Sequence, residues 1–160
     1  MKLFKYPHLV QKEILDNLEY LELFMLSFVS KNMIKLIKSS QVQRFNSIHS
    51  LNYDCCLNVR TLVYISSKHS GLEKLSAITE REETNKDYFQ LNVSGKMLDF
   101  QLSDEYEYPV AAYHLCDKEI VIKSIHEHFI NLFGDSVEYR LGDKRLRDSY
   151  SATAKLISMY

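Results

Sequence analysis

The sequence predicts an α+β fold: an N-terminal three-helix module, then a mixed domain with a β-hairpin, further strands and a helix packed on a sheet. Three observations carry this. Residues 7–38 place apolar side chains at helical spacing, residues 88–102 alternate apolar and polar about a glycine, and residues 119–134 return to helical spacing before Gly134. With 160 residues, 46% hydrophobic and 26% charged, the chain has the make-up of a globular protein whose core needs neither disulfides nor metal. A net charge of −1 argues against nucleic-acid wrapping, which needs a concentrated basic surface.

In the first helix Val10, Ile14 and Leu18 recur at i+4, and Pro7 stands at its start, where a missing N–H costs nothing. Glu19 to Glu22 breaks the register. A second helix carries Leu23, Phe24, Leu26 and Phe28, apolar on more than one side. Ser30 predicts the N-cap of a third helix, with Met33, Ile34 and Ile37 on one face and Lys31, Lys35 and Lys38 pointing away. Polar Ser39 to Gln43 reads as a junction, dividing the chain into residues 2–42 and 43–160.

Thr61 to Ile65 is β-branched and aromatic, as a buried strand would be, and Glu80 to Asp87 reads as a loop. Between Tyr88 and Leu102 a two-residue Gly95-Lys96 loop of type II′ would pair Val93 with Leu98, Leu91 with Phe100 and Phe89 with Leu102. Asp104 to Glu107 is an acidic loop, and Tyr108 to Leu115 a strand with Pro109 at its start or on an edge. Asp117 and Glu119 open a helix whose apolar face is Val121, Ile125, Phe129 and Leu132, and Gly134 stops it. Val137, Tyr139 and Leu141 alternate as a last strand. Asp143 to Asp148 is charged, and Ser149 to Tyr160 weakly helical.

No constellation of catalytic, metal-binding or cofactor-binding residues emerges. Cys55, Cys56 and Cys116 lack CxxC spacing and predict reduced thiols in a cytoplasmic or nuclear protein. The longest uncharged stretches, Phe45–Tyr53 and Tyr108–Cys116, hold nine residues each, too few for a membrane span, and no secretory signal is visible. In His126-Glu127-His128 the two histidines sit two apart, pointing away from each other on a helix, so they read as a polar flank rather than a chelate. The four glycines form no phosphate loop, no GxSxG elbow fixes a nucleophile, and Glu82-Glu83 and Lys144, Arg145 and Arg147 read as solvated surface.

Tyr6-Pro7, Leu9-Val10, Ile14-Leu15, Leu18, Glu22-Leu23, Leu26 and Val29-Ser30-Lys31 follow, in order and spacing, the pattern of the F-box. About a quarter of the chain resembles that motif, with Tyr6, Glu22 and Met33 standing where Leu, Asp and Trp are usual. The run Leu26 to Lys31 is similar to the nematode F-box families, and Ile125 to Phe133 followed by Val137 to Leu141 resembles part of their F-box-associated domain. The resemblance implies a substrate-recruiting adaptor, not an enzyme, of an SCF-type (cullin–RING) ubiquitin ligase. It would dock on the Skp-family linker protein, and through it a cullin, while the associated domain holds a protein target. Pro7, Leu9, Val10, Ile14, Leu15, Leu18, Leu23, Leu26 and Val29 are the linker-contact residues it implies. Short helices apolar on several sides cannot bury every side chain internally, which agrees with a partner groove. The alternative is a stand-alone interaction or scaffold protein whose F-box-like helices no longer bind a linker.

Overall fold

In the computed structural model, residues 3–56, 60–68, 71–82, 87–102 and 108–141 are described. The expectations for Asp104–Glu107, Asp143–Asp148 and Ser149–Tyr160 lie outside them, as does part of the Glu80–Asp87 loop. A 3-10 turn, Leu3–Lys5, leads into α1 (His8–Asp16), which starts directly after Pro7. Helix α2 (Tyr20–Ser27) is set by the segment that breaks the helical register: the Glu22 carboxylate accepts the Glu19 N–H at 2.8 Å, satisfying an orphan donor at the helix start. Ser30 caps α3 (Lys31–Ser40), its Oγ accepting the Met33 N–H at 3.1 Å.

Two N-terminal expectations are corrected. Ser39–Gln43 is no extended junction, because α3 runs through Ser40 and one further turn, α4 (Val42–Phe45), buries Phe45. Val10 and Ile14 do share a face, but an exposed one; Leu15 and half-buried Gln11 turn inward, and Leu18 lies beyond the end of α1. Spacing identifies a face without saying what covers it.

Among the described residues seven strands follow: β1 (Ile48–Cys56), β2 (Arg60–Ser67), β3 (Gly71–Glu80), β4 (Phe89–Val93), β5 (Lys96–Gln101), β6 (Val110–Tyr113) and β7 (Glu138–Leu141). They form one mixed sheet in the order β4-β5-β6-β3-β2-β1-β7, with β3–β6 and β1–β7 parallel. Strands β1 and β3 escape a period-two reading because register breaks between Ile48 and Ser50 in β1, and between Lys74 and Ser76 in β3 opposite Val63/Tyr64, interrupt the alternation. The segment Thr61–Ile65 is a strand, though only alternate residues, Val63 and Ile65, are fully buried. Helix α5 (Lys118–Phe133) connects β6 to β7 across the intervening strands, burying Val121, Ile125, Phe129 and Leu132 as its spacing predicts. Among the described residues no helix is long and apolar enough to cross a membrane.

The hairpin exists with a different turn. Ser94 and Gly95, with φ of 51° and 89°, form the two-residue loop, and Val93 pairs with Lys96, Leu91 with Leu98 and Phe89 with Phe100. Two consecutive positive φ values belong to type I′ rather than the expected type II′, and the Asn92 side-chain oxygen accepts the Gly95 N–H at 3.0 Å. The register moves by two residues, an even step, so every side chain keeps its face; Val93, Leu98 and Phe100 are buried. Leu102 is the exception: it falls past the end of β5 and is 61% exposed.

One hydrophobic cluster runs through helices and sheet alike, joining Leu15, Leu23, Phe24, Met33 and Ile37 to Tyr53, Ile65, Phe100 and Phe129. Aromatic rings make the joint. Phe24 stacks on Phe129 with centroids 4.8 Å apart, and Phe133 meets Phe45 at 5.2 Å and Tyr20 at 6.3 Å.

A Cβ at Gly95 would meet nothing within 4 Å, so the cost of a side chain there is conformational. Gly95→Val is expected to destabilise by about 1 kcal/mol or more, through the left-handed backbone it must adopt. That corresponds to a melting midpoint lower by about 2–4 °C for a chain of this size. An unchanged midpoint in a thermal melt would contradict the turn.

Candidate functional site

Helix α2 is apolar on more than one side, and its two faces meet different fates. Tyr20, Leu23, Phe24 and Ser27 are buried against the rest of the chain. On the other face Leu21, Met25 and Leu26, flanked by Leu18 and Val29, form one wall of a groove of about 470 Å³. Leu102, Tyr108 and Pro109, at the end of the sheet where β5 stops and β6 begins, form the other wall. Among the described residues, Glu22 is the only charged one lining it. The helix is covered on one side, with Val29 58% exposed at the groove.

Helix α1 adds a second apolar surface. Leu9 (79% exposed), Val10 and Ile14 face outward with Tyr6 and Pro7 just ahead of them. Their helix is held from behind by Leu15 in the core and by polar ties at its end. Lys12 and Asp16 are ion-paired, and the Gln41 amide donates to Asp16 at 2.7 Å, which together hold the Asp16 carboxyl below the ordinary carboxylate range. Arg44 lies over the Tyr20 ring at 4.3 Å and donates to the Leu18 carbonyl, while the Tyr20 hydroxyl donates to the Arg44 carbonyl at 3.2 Å.

The two histidines of α5 are buried, His128 against the end of α2 and His126 against β1 and β7, which corrects the polar-flank expectation. They do point apart. The Ser27 hydroxyl donates to the Phe24 carbonyl at 2.5 Å, so its oxygen accepts from His128 Nε2 at 2.6 Å, and the imidazole stacks on Phe28 with centroids 4.5 Å apart. His126 Nδ1 pairs with the Tyr53 hydroxyl at 2.8 Å, and its ring meets Tyr139 edge-on at 4.6 Å. Burial drives the His128 pKa down to about 4 and lowers that of His126, so both rings are neutral, while burial raises Tyr53 and pushes Tyr139 up to about 12. The Ser27–His128 contact is a strut rather than a nucleophile and base, since neither group reaches solvent. Among the described residues no three His, Cys, Asp or Glu side chains converge to hold a metal ion.

The geometry is therefore one of apolar surfaces on short helices, with a family model to match. The F-box domain model matches residues 7–45, from Pro7 through α4. An F-box domain spans this region. Comparison with curated proteins and with solved structures gave no match. F-box domains generally bind Skp-type linkers in SCF complexes and belong to adaptors rather than enzymes.

Of the F-box residues implied as linker contacts, Pro7, Leu9, Val10, Ile14 and Val29 are exposed, and Leu18 and Leu26 are half-buried along the groove. Leu15 and Leu23 lie wholly inside the core of the chain. Leu21 and Met25 were not among the expected contacts. The signal for them was present, since residues 21 and 25 stand four apart, one helical turn, on α2.

The neutral histidines predict an acid-sensitive fold. The unfolded chain binds a proton near pH 6.5 and the native His128 only near 4, so the stability from the neutral ring is complete above pH 6.5 and is lost as pH falls from there towards 4. The slope is about 1.4 kcal/mol per pH unit for each such group. Urea unfolding at pH 7.5, 6 and 5 measures it. His128→Phe is expected to flatten the dependence, and an equal slope in both proteins would exclude His128 as its source.

Proposed function

We propose that this chain is a substrate-recruiting adaptor of an SCF-type ubiquitin ligase, docking on a Skp-family linker through its F-box and through the linker on a cullin. One observation carries the reading: the F-box helices leave apolar side chains incompletely covered by the rest of the chain, Leu9, Val10 and Ile14 exposed on α1 and Leu21, Met25 and Leu26 half-buried on the outer face of α2. The F-box match over residues 7–45 supplies the class of partner. Residues 43–160 would serve as a nematode-type F-box-associated region that holds the protein target. Ubiquitin transfer belongs to other subunits, so this chain needs no catalytic group of its own, and its place of work is the cytoplasm or nucleus.

Leu9 is the sharpest test because it is 79% exposed and its truncation removes little from the core. In Pro7→Ala/Leu9→Ala the linker affinity is expected to fall roughly thirtyfold, the loss typical of truncating an interface anchor. The melting transition should stay near that of the wild type. Titration calorimetry against a purified Skp-family linker, with melts of the same samples, reads both. A wild-type chain with no linker binding at micromolar concentration would give way to the scaffold reading.

A further inference from the structure

We infer that the linker-binding surface does not end with the F-box: Leu102, Tyr108 and Pro109, at the end of the β-sheet, form its far wall and receive an apolar helix of the linker. The inference rests on the adaptor reading and says which additional residues the partner covers.

The groove is a composite. One wall is α2, and the F-box pattern itself runs through Leu26 and Val29 there, so a partner seated on those residues meets the opposite wall across a gap of about 470 Å³. Both walls end in strongly exposed apolar side chains, Val29 at 58% and Leu102 at 61%. The two are held together by this chain's own packing, because Leu21 on α2 packs against the small cluster of Tyr108, Val110 and Ala77. The groove is thus a rigid feature of the fold and not an accident of two loosely tethered parts.

The walls also select the form of the occupant. An extended peptide needs main-chain partners along its length, whereas a helix satisfies its own backbone and presents only side chains. Pro109 has no N–H to offer, and its carbonyl already accepts the Ala77 N–H at 3.1 Å and the Ser76 hydroxyl at 3.0 Å. The Tyr108 hydroxyl accepts from Arg60 at 2.9 Å. On the α2 side the backbone is bonded within the helix, and the Glu22 carboxylate is engaged with the Glu19 N–H. Among the described residues, what remains is an apolar cleft between a helix and a sheet end, complementary to the apolar face of a second helix.

The test uses the full chain and a purified Skp-family linker. Leu102→Asp is expected to weaken linker binding by roughly tenfold or more, as Val29→Asp should, without moving the thermal midpoint. Leu72→Asp, at another exposed leucine outside the groove, should leave the affinity unchanged. If Val29→Asp loses affinity and Leu102→Asp does not, the far wall is not part of the interface and the inference falls while the adaptor reading stands. Absence of wild-type binding would sink the adaptor reading and this inference together. Sedimentation of the chain alone supplies the remaining check: a wild-type dimer that Leu102→Asp converts to monomer would assign the groove to a second copy and overturn the proposal.

Discussion

The packing of α2 on α5 is the contact on which the rest of the molecule depends. Tyr20, Phe24 and Phe28 present aromatic rings to His128, Phe129 and Phe133, and the Ser27–His128 hydrogen bond lies among them. Large rings bury much apolar area at modest entropic cost, and their edge-to-face and offset geometries favour particular orientations. By fixing α2 against α5, this contact decides which half of α2 is inside. It thereby decides which half is left for something else.

The same contact couples the F-box to the sheet. Apolar residues of α1, α2 and α3 share one cluster with β1, β2, β5 and α5, so a shift of the helices would have to repack an interior of near-crystalline density. A polar pair in such a place is demanding, since a buried group that loses its partner bears its full desolvation penalty. His128 meets that demand by staying neutral and sharing the Ser27 hydroxyl, which is already committed to the Phe24 carbonyl. This arrangement holds the helices in a set orientation on α5 and the sheet.

Much of this was legible in the sequence. Pro7 and Ser30 mark two helix starts, Pro7 because it has no N–H to leave unpaired there and Ser30 because its hydroxyl accepts the Met33 N–H three residues on. The run Val121, Ile125, Phe129 and Leu132 announces α5, and Gly134 ends it. The hairpin survived an error in its turn because a register shift of two leaves side-chain faces unchanged. Strands β1 and β3 were hidden because their register breaks erase the alternation that would reveal them.

By itself, the sequence determined the α+β class, the F-box helices and the apolar excess of α2, since each depends on neighbours within one or two turns of chain. Only the tertiary structure decided the fate of individual side chains. Leu15 and Val10 are equally apolar and lie on one short helix, yet one is wholly buried and the other exposed, because what covers a face comes from elsewhere in the chain. Leu102 carries no motif and gains its meaning from lying across a groove from Val29, more than seventy residues earlier. The histidines of α5 read as surface in a list of residue types. Folding buries them beside Ser27 and Tyr53, where their neutrality follows from desolvation, a property of the assembled interior that no local pattern encodes.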